Sequence, residues 1–213
     1  MSTTWLHRPK QERSRSTTRQ ILRAAGKLLK SRPLAEVSVA EIAKAAGVSV
    51  GGYYARFPSK ESLLAALYDD CLRKATRVLD EAMKVERWKG RPIAEVIRAY
   101  FDVAMRFFCK HRVIVRQVIQ RAREERNSPL GQAVSEFNTF AHGRLTLLLM
   151  ERASEICHPN AEEAAMFGVR VISAALRDFS LFGVKRMAYG SAESDRMLHE
   201  LTRMYVAYLK SSE

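Results

Sequence analysis

The residues whose types and spacing suit a chemical task lie within the segment 38–63, SVAEIAKAAGVSVGGYYARFPSKESL. Ser38 followed three positions later by Glu41 forms a capping box, which predicts the start of a helix. Gly47 stands where a helix ends in the left-handed conformation, and Ser49 stands where the next helix needs a cap. The order helix, tight turn, helix predicts a helix-turn-helix, whose second helix enters the major groove of DNA. The chemistry indicated is therefore nucleic-acid binding.

Apolar spacing divides this second helix, expected over residues 49–57, into a buried and an exposed side. Val50, Tyr53 and Phe57 recur at i, i+3 and i+7, which predicts that they face the interior. Two glycines on the other face lower helix propensity by about 1 kcal/mol each relative to Ala. Their presence favours a close approach of the backbone to a flat or grooved partner. The residues expected to face outward are Gly51, Gly52, Tyr54, Ala55 and Arg56.

The segment resembles the DNA-binding domain of the TetR/AcrR family of bacterial transcriptional regulators. The resemblance extends upstream over a first helix at 17–29, and it covers the remaining chain by length and helical character only. It implies an all-α fold, with an N-terminal three-helix helix-turn-helix domain followed by a larger helical domain for effector binding and dimerisation. The matching residues are Ser38, Ile42-Ala43, Ala46-Gly47-Val48-Ser49, Gly51, Tyr54, Phe57, Ser59-Lys60-Glu61 and Leu63.

The resemblance also implies roles for particular positions. Tyr54 and Lys60 would contact phosphates, whereas Val50, Gly51 and Ala55 would lie nearest the base edges. The predicted DNA-binding set is Ser38, Ser49, Val50, Gly51, Gly52, Tyr54, Ala55, Arg56 and Lys60.

Three positions depart from the common family pattern. Gly52 replaces a frequent Ser or Thr, Tyr53 stands where Leu is usual, and Arg56 stands where Tyr or His is usual. Arg56 is then expected to pair either with guanine or with phosphate. A structural interpretation also stays open, in which Tyr53 and Tyr54 fill the core and Lys60 is a solvated charge. The combined motif favours DNA binding over it.

Charge gives an independent argument for the same part of the chain. Of the net charge of +13, residues 1–60 carry +9, from twelve Lys and Arg against three Glu. Basic segments gain affinity for DNA by releasing counterions from its phosphates. Residues 1–15 form a basic arm that either solubilises the chain or follows the DNA backbone, and the second interpretation is favoured. Attachment to an anionic membrane would need an apolar face, which the arm lacks.

The predicted domains are this arm at 1–15, the helix-turn-helix domain at 16–62 and a helical effector-binding and dimerisation domain at 63–213. The chain is 47% apolar, which suffices for a core, and it has no apolar run of the ~18–20 residues that span a bilayer. Its three cysteines form no C-x-x-C pair, which is typical of reduced thiols. We therefore expect a cytoplasmic protein without a membrane partner.

A helix expected over residues 161–187 is apolar on nearly every side, so it must be buried on nearly every side. In a single chain it would be the central core helix. The family resemblance instead implies a homodimer, in which this helix and the last one pair with their copies. The predicted interface residues are Val171, Ala175, Phe179, Phe182, Leu201, Met204, Tyr205 and Tyr208.

The resemblance further implies a pocket for a small, apolar effector among the middle helices. Aromatic and Met residues at helical spacing are equally typical of an ordinary core. The predicted lining residues are Phe101, Met105, Phe108, His111, Phe137, Phe140, His142 and Arg144.

The sequence lacks the motifs of other functional classes. The five histidines show no metal-ligand spacing, and the chain has neither a phosphate-cradling glycine loop nor a nucleophile motif. We expect no metal, no cofactor and no enzymatic activity. The family resemblance implies a homodimeric regulator that binds a palindromic operator on double-stranded DNA, and by family analogy a repressor released by its effector. The alternatives are an effector-independent or architectural DNA-binding protein and an activator of the same fold.

Overall fold

The computed structural model describes residues 12–125, 127–183 and 187–212. Every regular element in these ranges is helical, which confirms the all-α prediction. None of these helices is long and apolar enough to cross a membrane. The helices are α1 (Glu12–Leu28), α2 (Val39–Ala46), α3 (Val50–Tyr54), α4 (Lys60–Ala82), α5 (Val85–Trp88), α6 (Ile93–Glu124), α7 (Pro129–Met150), α8 (Ala161–Phe182) and α9 (Ala192–Leu209), with 3₁₀ turns at Leu34–Glu36 and Ala153–Glu155.

Helix starts follow local capping chemistry. The side chains of Ser128, Asn160 and Ser191 each accept a hydrogen bond from a backbone N–H in the first turn of the helix that follows. Pro129 occupies the first turn of α7, where its missing N–H costs nothing. Pro92 precedes α6 as its N-cap. The helix expected to reach residue 187 ends at Phe182. Of the predicted basic arm, residues 1–11 lie outside the described ranges.

The helix α6 is kinked at His111. The residues on either side of this position form one continuous helical run. The φ of −114° and ψ of 18° at His111 are not helical, so the run changes direction there. The kink faces α4, because His111 Nδ1 lies 3.6 Å from the Sγ of the buried Cys71.

Three apolar clusters lie in the interior of the described chain, and the smallest joins Val115 and Ile119 of α6 to Leu181 of α8. The head cluster combines α1 to α4, with the buried Ile42, Tyr53 and Leu63 among its members. The residues Ile114 and Val118 of α6 belong to the same cluster, so the C-terminal half of α6 is part of the packing of the head. The body cluster is formed by α4 and α6 to α9, with α6 packed against each of the others.

Candidate nucleic-acid interface

Short-range hydrogen bonds fix both the start of α2 and its turn into α3. Ser38 Oγ accepts from the Glu41 N–H at 3.1 Å, and the Ser38 N–H donates to Glu41 Oε2 at 2.8 Å. This backbone hydrogen bond and one from Arg32 lower the pKa of Glu41 to about 2. Gly47 ends α2 in the left-handed conformation, with φ 67°. Ser49 Oγ then accepts from the Gly52 N–H at 3.0 Å and caps α3.

The buried side of α3 holds two aromatic rings. Tyr53 and Phe57 are 0% and 1% exposed, with ring centroids 5.8 Å apart, as the periodicity predicts. Burial raises the pKa of Tyr53 to about 12. These rings pack α3 onto the head cluster, so the helix is presented by a rigid base although it has only five residues.

The opposite side of α3 is open to solvent. Tyr54 is 50% exposed and Val50 is 45% exposed, and Ser49, Gly51 and Ala55 are also exposed. The inward orientation expected for Val50 is therefore wrong. Tyr53 and Phe57 already fill the space beneath α3, and Val50 is not part of the head cluster.

A second feature of this face is the close packing around its N-cap. A Cβ on Gly52, which is half-buried, would lie 3.2 Å from Ser49 Oγ, so glycine there leaves room for the cap.

Two predicted contact residues are engaged within the head. The Arg56 guanidinium is folded back, with Nη1 donating to the Gly52 carbonyl at 3.3 Å. The Lys60 ammonium donates to the Leu34 carbonyl at 3.1 Å. The Gly52 carbonyl lies in the last turn of α3, where intrahelical donors are missing, whereas the Leu34 carbonyl also accepts from the Val37 N–H. The outward position expected for Arg56 is thus corrected to a half-buried one, and Lys60 ties the start of α4 to a 3₁₀ turn.

This geometry defines a class of protein. A capped pair of short helices, with the second exposed on a basic head, is a helix-turn-helix of the kind that binds nucleic acid. Residues 21–67 match the family model described as bacterial regulatory proteins, tetR family. The head of this chain is thus that of a TetR-family regulatory protein, and the resemblance seen in the sequence is confirmed.

Curated relatives match a part of the chain. The HTH-type transcriptional regulator EthR of Mycolicibacterium smegmatis is 36% identical over 91 residues, which is 43% of this chain and 41% of that protein. EthR of Mycobacterium tuberculosis is 46% identical over 59 residues, or 28% of this chain and 27% of that protein. The chain therefore matches less than half the length of these relatives.

Solved structures share the fold over most of the chain. A tetR-family transcriptional regulator from Streptomyces coelicolor superposes with a TM-score of 0.63 at 19% identity, covering 91% of this chain and 80% of that one. Thermus thermophilus FadR, a TetR-family repressor in complex with lauroyl-CoA, superposes with a TM-score of 0.59 at 20% identity, covering 92% of this chain and 94% of that one. Similarity at this level establishes the fold.

The predicted effector residues separate into three groups. Phe108, His111, Phe137 and His142 line a cavity of about 330 Å³, which we call the body cavity, between α4, α6, α7 and α8. Two others do not reach it, because they are fully buried in the body cluster: Phe101 and Met105. Phe140 and Arg144 also lie outside its lining, and Arg144 is paired with Asp80.

Basic residues of the body cavity were missed by the sequence reasoning. Lys74, Lys110 and Arg177 come from three different helices and meet only in the folded chain. No motif links them.

The predicted dimer residues likewise differ in exposure. Val171 and Phe179 on α8 and Met204 on α9 are exposed. Leu201 and Tyr205 are buried within this chain, where the Tyr205 hydroxyl donates to the Ala165 carbonyl. These two must be removed from the predicted interface, because α9 uses that side to pack on its own body. The half-buried members are Ala175, Phe182 and Tyr208.

Proposed function

We propose that this chain is a DNA-binding transcriptional regulator that acts as a homodimer on a palindromic operator, represses transcription and is released by a small-molecule effector. The observation that carries the proposal is the outward face of α3. It combines the exposed Val50, Gly51 and Tyr54 on a short helix anchored from beneath by two buried aromatic rings. A rigid base with an exposed, small-residue face suits insertion into the major groove, where base edges are read.

The chemistry of this face assigns a contact to each residue. Val50 and Ala55 offer apolar contact to a thymine methyl group, and Gly51 lets the backbone approach the bases. The Tyr54 hydroxyl is a donor for phosphate. Lys60 reaches a phosphate only by giving up its hydrogen bond to the Leu34 carbonyl, so we place it second to Tyr54.

Selection of bound sequences from random DNA by the purified protein tests the DNA-binding part. We expect one palindromic consensus, whose affinity falls steeply with salt. Tyr54→Ala should weaken binding to that consensus by about ten-fold, the loss of roughly one charge-assisted hydrogen bond. Tyr189→Ala removes another exposed tyrosine from the body and serves as the matched control. Equal affinities for the two variants would refute the assignment of α3 as the reading helix.

The dimer is supported by an apolar stripe on α8. Phe167, Val171 and Phe179 follow one another at four and eight residues, which places them on one side of the helix. They are 57%, 47% and 48% exposed, and Met204 of the adjacent α9 is 59% exposed. Single exposed apolar residues are normal, but a row of them on neighbouring helices is typical of an interface between protein chains. A two-fold pair would place two heads on one face of DNA.

Sedimentation of a charge variant tests the dimer. The double variant Val171→Glu/Phe179→Glu should sediment as a monomer at micromolar concentration, because two carboxylates per chain would be buried without partners. The control is Val85→Glu, which places one such carboxylate at an exposed apolar position on α5. A dimer that persists in the α8 variant would contradict the assignment.

Effector release is supported by the connection between the body cavity and the head. His111 lines the cavity at the kink of α6, and Gln117 follows on the same helix. Gln117 Oε1 accepts a hydrogen bond from the Leu34 N–H at 3.0 Å. The carbonyl of Leu34 in turn accepts from Lys60 at the start of α4. A ligand that changes the kink would therefore displace the turn that supports the helix-turn-helix.

Footprinting distinguishes the alternatives. A single protected palindrome supports a regulator, whereas uniform protection of any DNA supports an architectural protein. Transcription in vitro from the selected operator then separates repression from activation.

A further inference from the structure

Six side chains of basic residue types line the body cavity. Lys74, Arg106, Lys110, His111, His142 and Arg177 contribute to the lining, with no Asp or Glu among the described lining residues. Two of these cations are already paired, Arg106 with Asp102 and Lys74 with Asp70. Lys110 and Arg177 form no ion pair with any carboxylate in the part of the chain that the structure describes.

Most of the remaining lining is apolar, and Asn138 and Ser173 are its uncharged polar members. Val103, Phe107, Phe108 and Phe137 contribute side chains to the walls. A volume of about 330 Å³ falls at the lower end of the range for ligand pockets. The cavity therefore offers an apolar surface together with uncompensated positive charge, an environment that rejects cations and favours an anion with an apolar part.

The excess positive charge also acts on the neighbouring histidine. Burial and the charges of Arg170 and Arg177 lower the pKa of His142 to about 4, so His142 is neutral at pH 7. It can then donate or accept a hydrogen bond without adding charge.

A second cavity adjoins the first at the junction of head and body. It has a volume of about 740 Å³ and lies between α1, α4 and α6, and we call it the basic groove. Lys74, Lys110 and His111 line both cavities, so the two meet at these residues. The head contributes four more cations, Arg19, Arg23 and Lys27 of α1 and Lys30 in the turn that follows it.

The negative charge in the basic groove is limited. Asp70 is the one carboxylate among its described lining residues, and Lys74 neutralises it. Leu67, Val113 and Ile114 add apolar surface to the lining. Cations that converge from three helices on a partly apolar concavity are suited to a compact anionic group.

We infer that the body cavity and the basic groove together bind one amphipathic anion. Its apolar chain lies among the phenylalanine rings of the body cavity, and its anionic head lies in the groove between Lys110 of the body and Lys27 of the head. The inference rests on the proposed effector function and names the class of the effector, which is amphipathic and charged rather than simply apolar. Since the anionic head touches α1 as well as α6, the ligand bridges the DNA-binding head and the body. The head group is a phosphate or a carboxylate.

Titration calorimetry on the full chain without DNA tests this inference. The probes are decyl phosphate, decanoate, decan-1-ol, butyl phosphate and inorganic phosphate, each below its critical micelle concentration. We expect decyl phosphate or decanoate to bind about ten-fold or more tightly than decan-1-ol, because charge-assisted hydrogen bonds favour the anion. Butyl phosphate and inorganic phosphate should bind more weakly than decyl phosphate, because they leave the apolar walls empty.

The comparison of decyl phosphate with decanoate identifies the head group. The same probes give the results that would contradict the inference. Equal binding of decan-1-ol and both anions would overturn the inference, as would the absence of binding by every ten-carbon probe. Inorganic phosphate that binds as tightly as decyl phosphate would also overturn it, because the apolar part would then contribute nothing.

Matched charge variants locate the head group. Lys27→Gln/Lys110→Gln should reduce the preference for decyl phosphate over decan-1-ol by about ten-fold or more. Lys89→Gln/Lys210→Gln removes the same charge from exposed positions outside both cavities and should leave the preference unchanged. If Arg177→Gln alone abolishes the preference and the Lys27 and Lys110 pair does not, the head group lies at another part of the body cavity and the proposed orientation is wrong.

These binding measurements are independent of DNA. A protein that selects a palindrome but binds no amphipathic anion keeps the proposed regulatory function and loses this inference. A protein that binds the anion but selects no DNA sequence loses the proposed function instead.

Discussion

Replacement of Gly168 by alanine probes the contact that sets α8 against α9. Gly168 is buried near the middle of α8, and the ring of Tyr205 on α9 lies directly over its Cα. A Cβ built at this position would lie 2.5 Å from Tyr205 Cδ2 and nearer still to Cε2. Tyr205 is 1% exposed and its hydroxyl is bound to the Ala165 carbonyl, so the ring has no free space into which to move.

The expected magnitude follows from two opposing effects. Extra volume in a packed core costs about 1–3 kcal/mol, and the fixed ring places this site toward the upper end. Alanine gains about 1 kcal/mol over glycine in a helix interior. We therefore expect a net loss of about 2 kcal/mol in the free energy of unfolding. Gly143 on α7 has no atom within 4 Å of a built Cβ, so Gly143→Ala should instead gain about 1 kcal/mol.

Urea denaturation of both variants at pH 7 measures these free energies. A double-mutant cycle with Tyr205→Leu isolates the contact, since a smaller side chain removes the clash. Gly168→Ala should then cost less in the Tyr205→Leu background than in the native one. If Gly168→Ala is as stable as Gly143→Ala, the α8–α9 packing described above is wrong.

Three further predictions concern titration and coupling. The folded-state pKa of His142, about 4, is below its usual 6.5, so protonation favours the unfolded chain. The free energy of unfolding should therefore fall by ~2 kcal/mol as pH falls from 6.5 to 4, and His142→Gln should remove this loss in melts measured against pH. The pKa of Glu41 is lowered from 4.5 to about 2, so its contribution to the stability of the fold is present above pH 4.5 and is lost as pH falls toward 2. The melting temperature of Glu41→Gln should therefore differ from that of the native chain at pH 7 and converge with it near pH 2. Gln117→Leu removes the acceptor for the Leu34 N–H, so the effector should still bind this variant in calorimetry but should lower its DNA affinity by a smaller factor than in the native chain. An unchanged factor would exclude this hydrogen bond from the coupling.

Much of the head is predictable from sequence because its determinants are local. Ser38, Gly47 and Ser49 act on backbone atoms within a few residues, and each has the role that its position predicts. Tyr53 is buried as the helical period requires. Local rules fail at Lys60, because its hydrogen-bond acceptor is a carbonyl 26 residues earlier in the chain.

The body is less predictable because its residues have more than one possible neighbour. An apolar position on α8 or α9 suits either the core of one chain or the surface between two chains, and periodicity does not separate them. Tyr205 and Met204 are adjacent in sequence, yet the first is buried and the second is 59% exposed. The charge of the body cavity was missed for a related reason, since Lys110 and Arg177 belong to helices whose register is set by packing.

The position of α6 in both clusters constrains how a ligand can act on the head. Ile114 and Val118 are part of the head cluster, while Val96 and Phe101 at the other end of the same helix belong to the body cluster. Because His111 between them is not helical, the proposed release depends on an equilibrium between two angles of α6 at this residue. A ligand shifts this equilibrium only by its difference in affinity between the two arrangements. A ligand held by α6 and α1 together gains that difference directly, since its contacts span the two parts that move, whereas one confined to the body cluster does not.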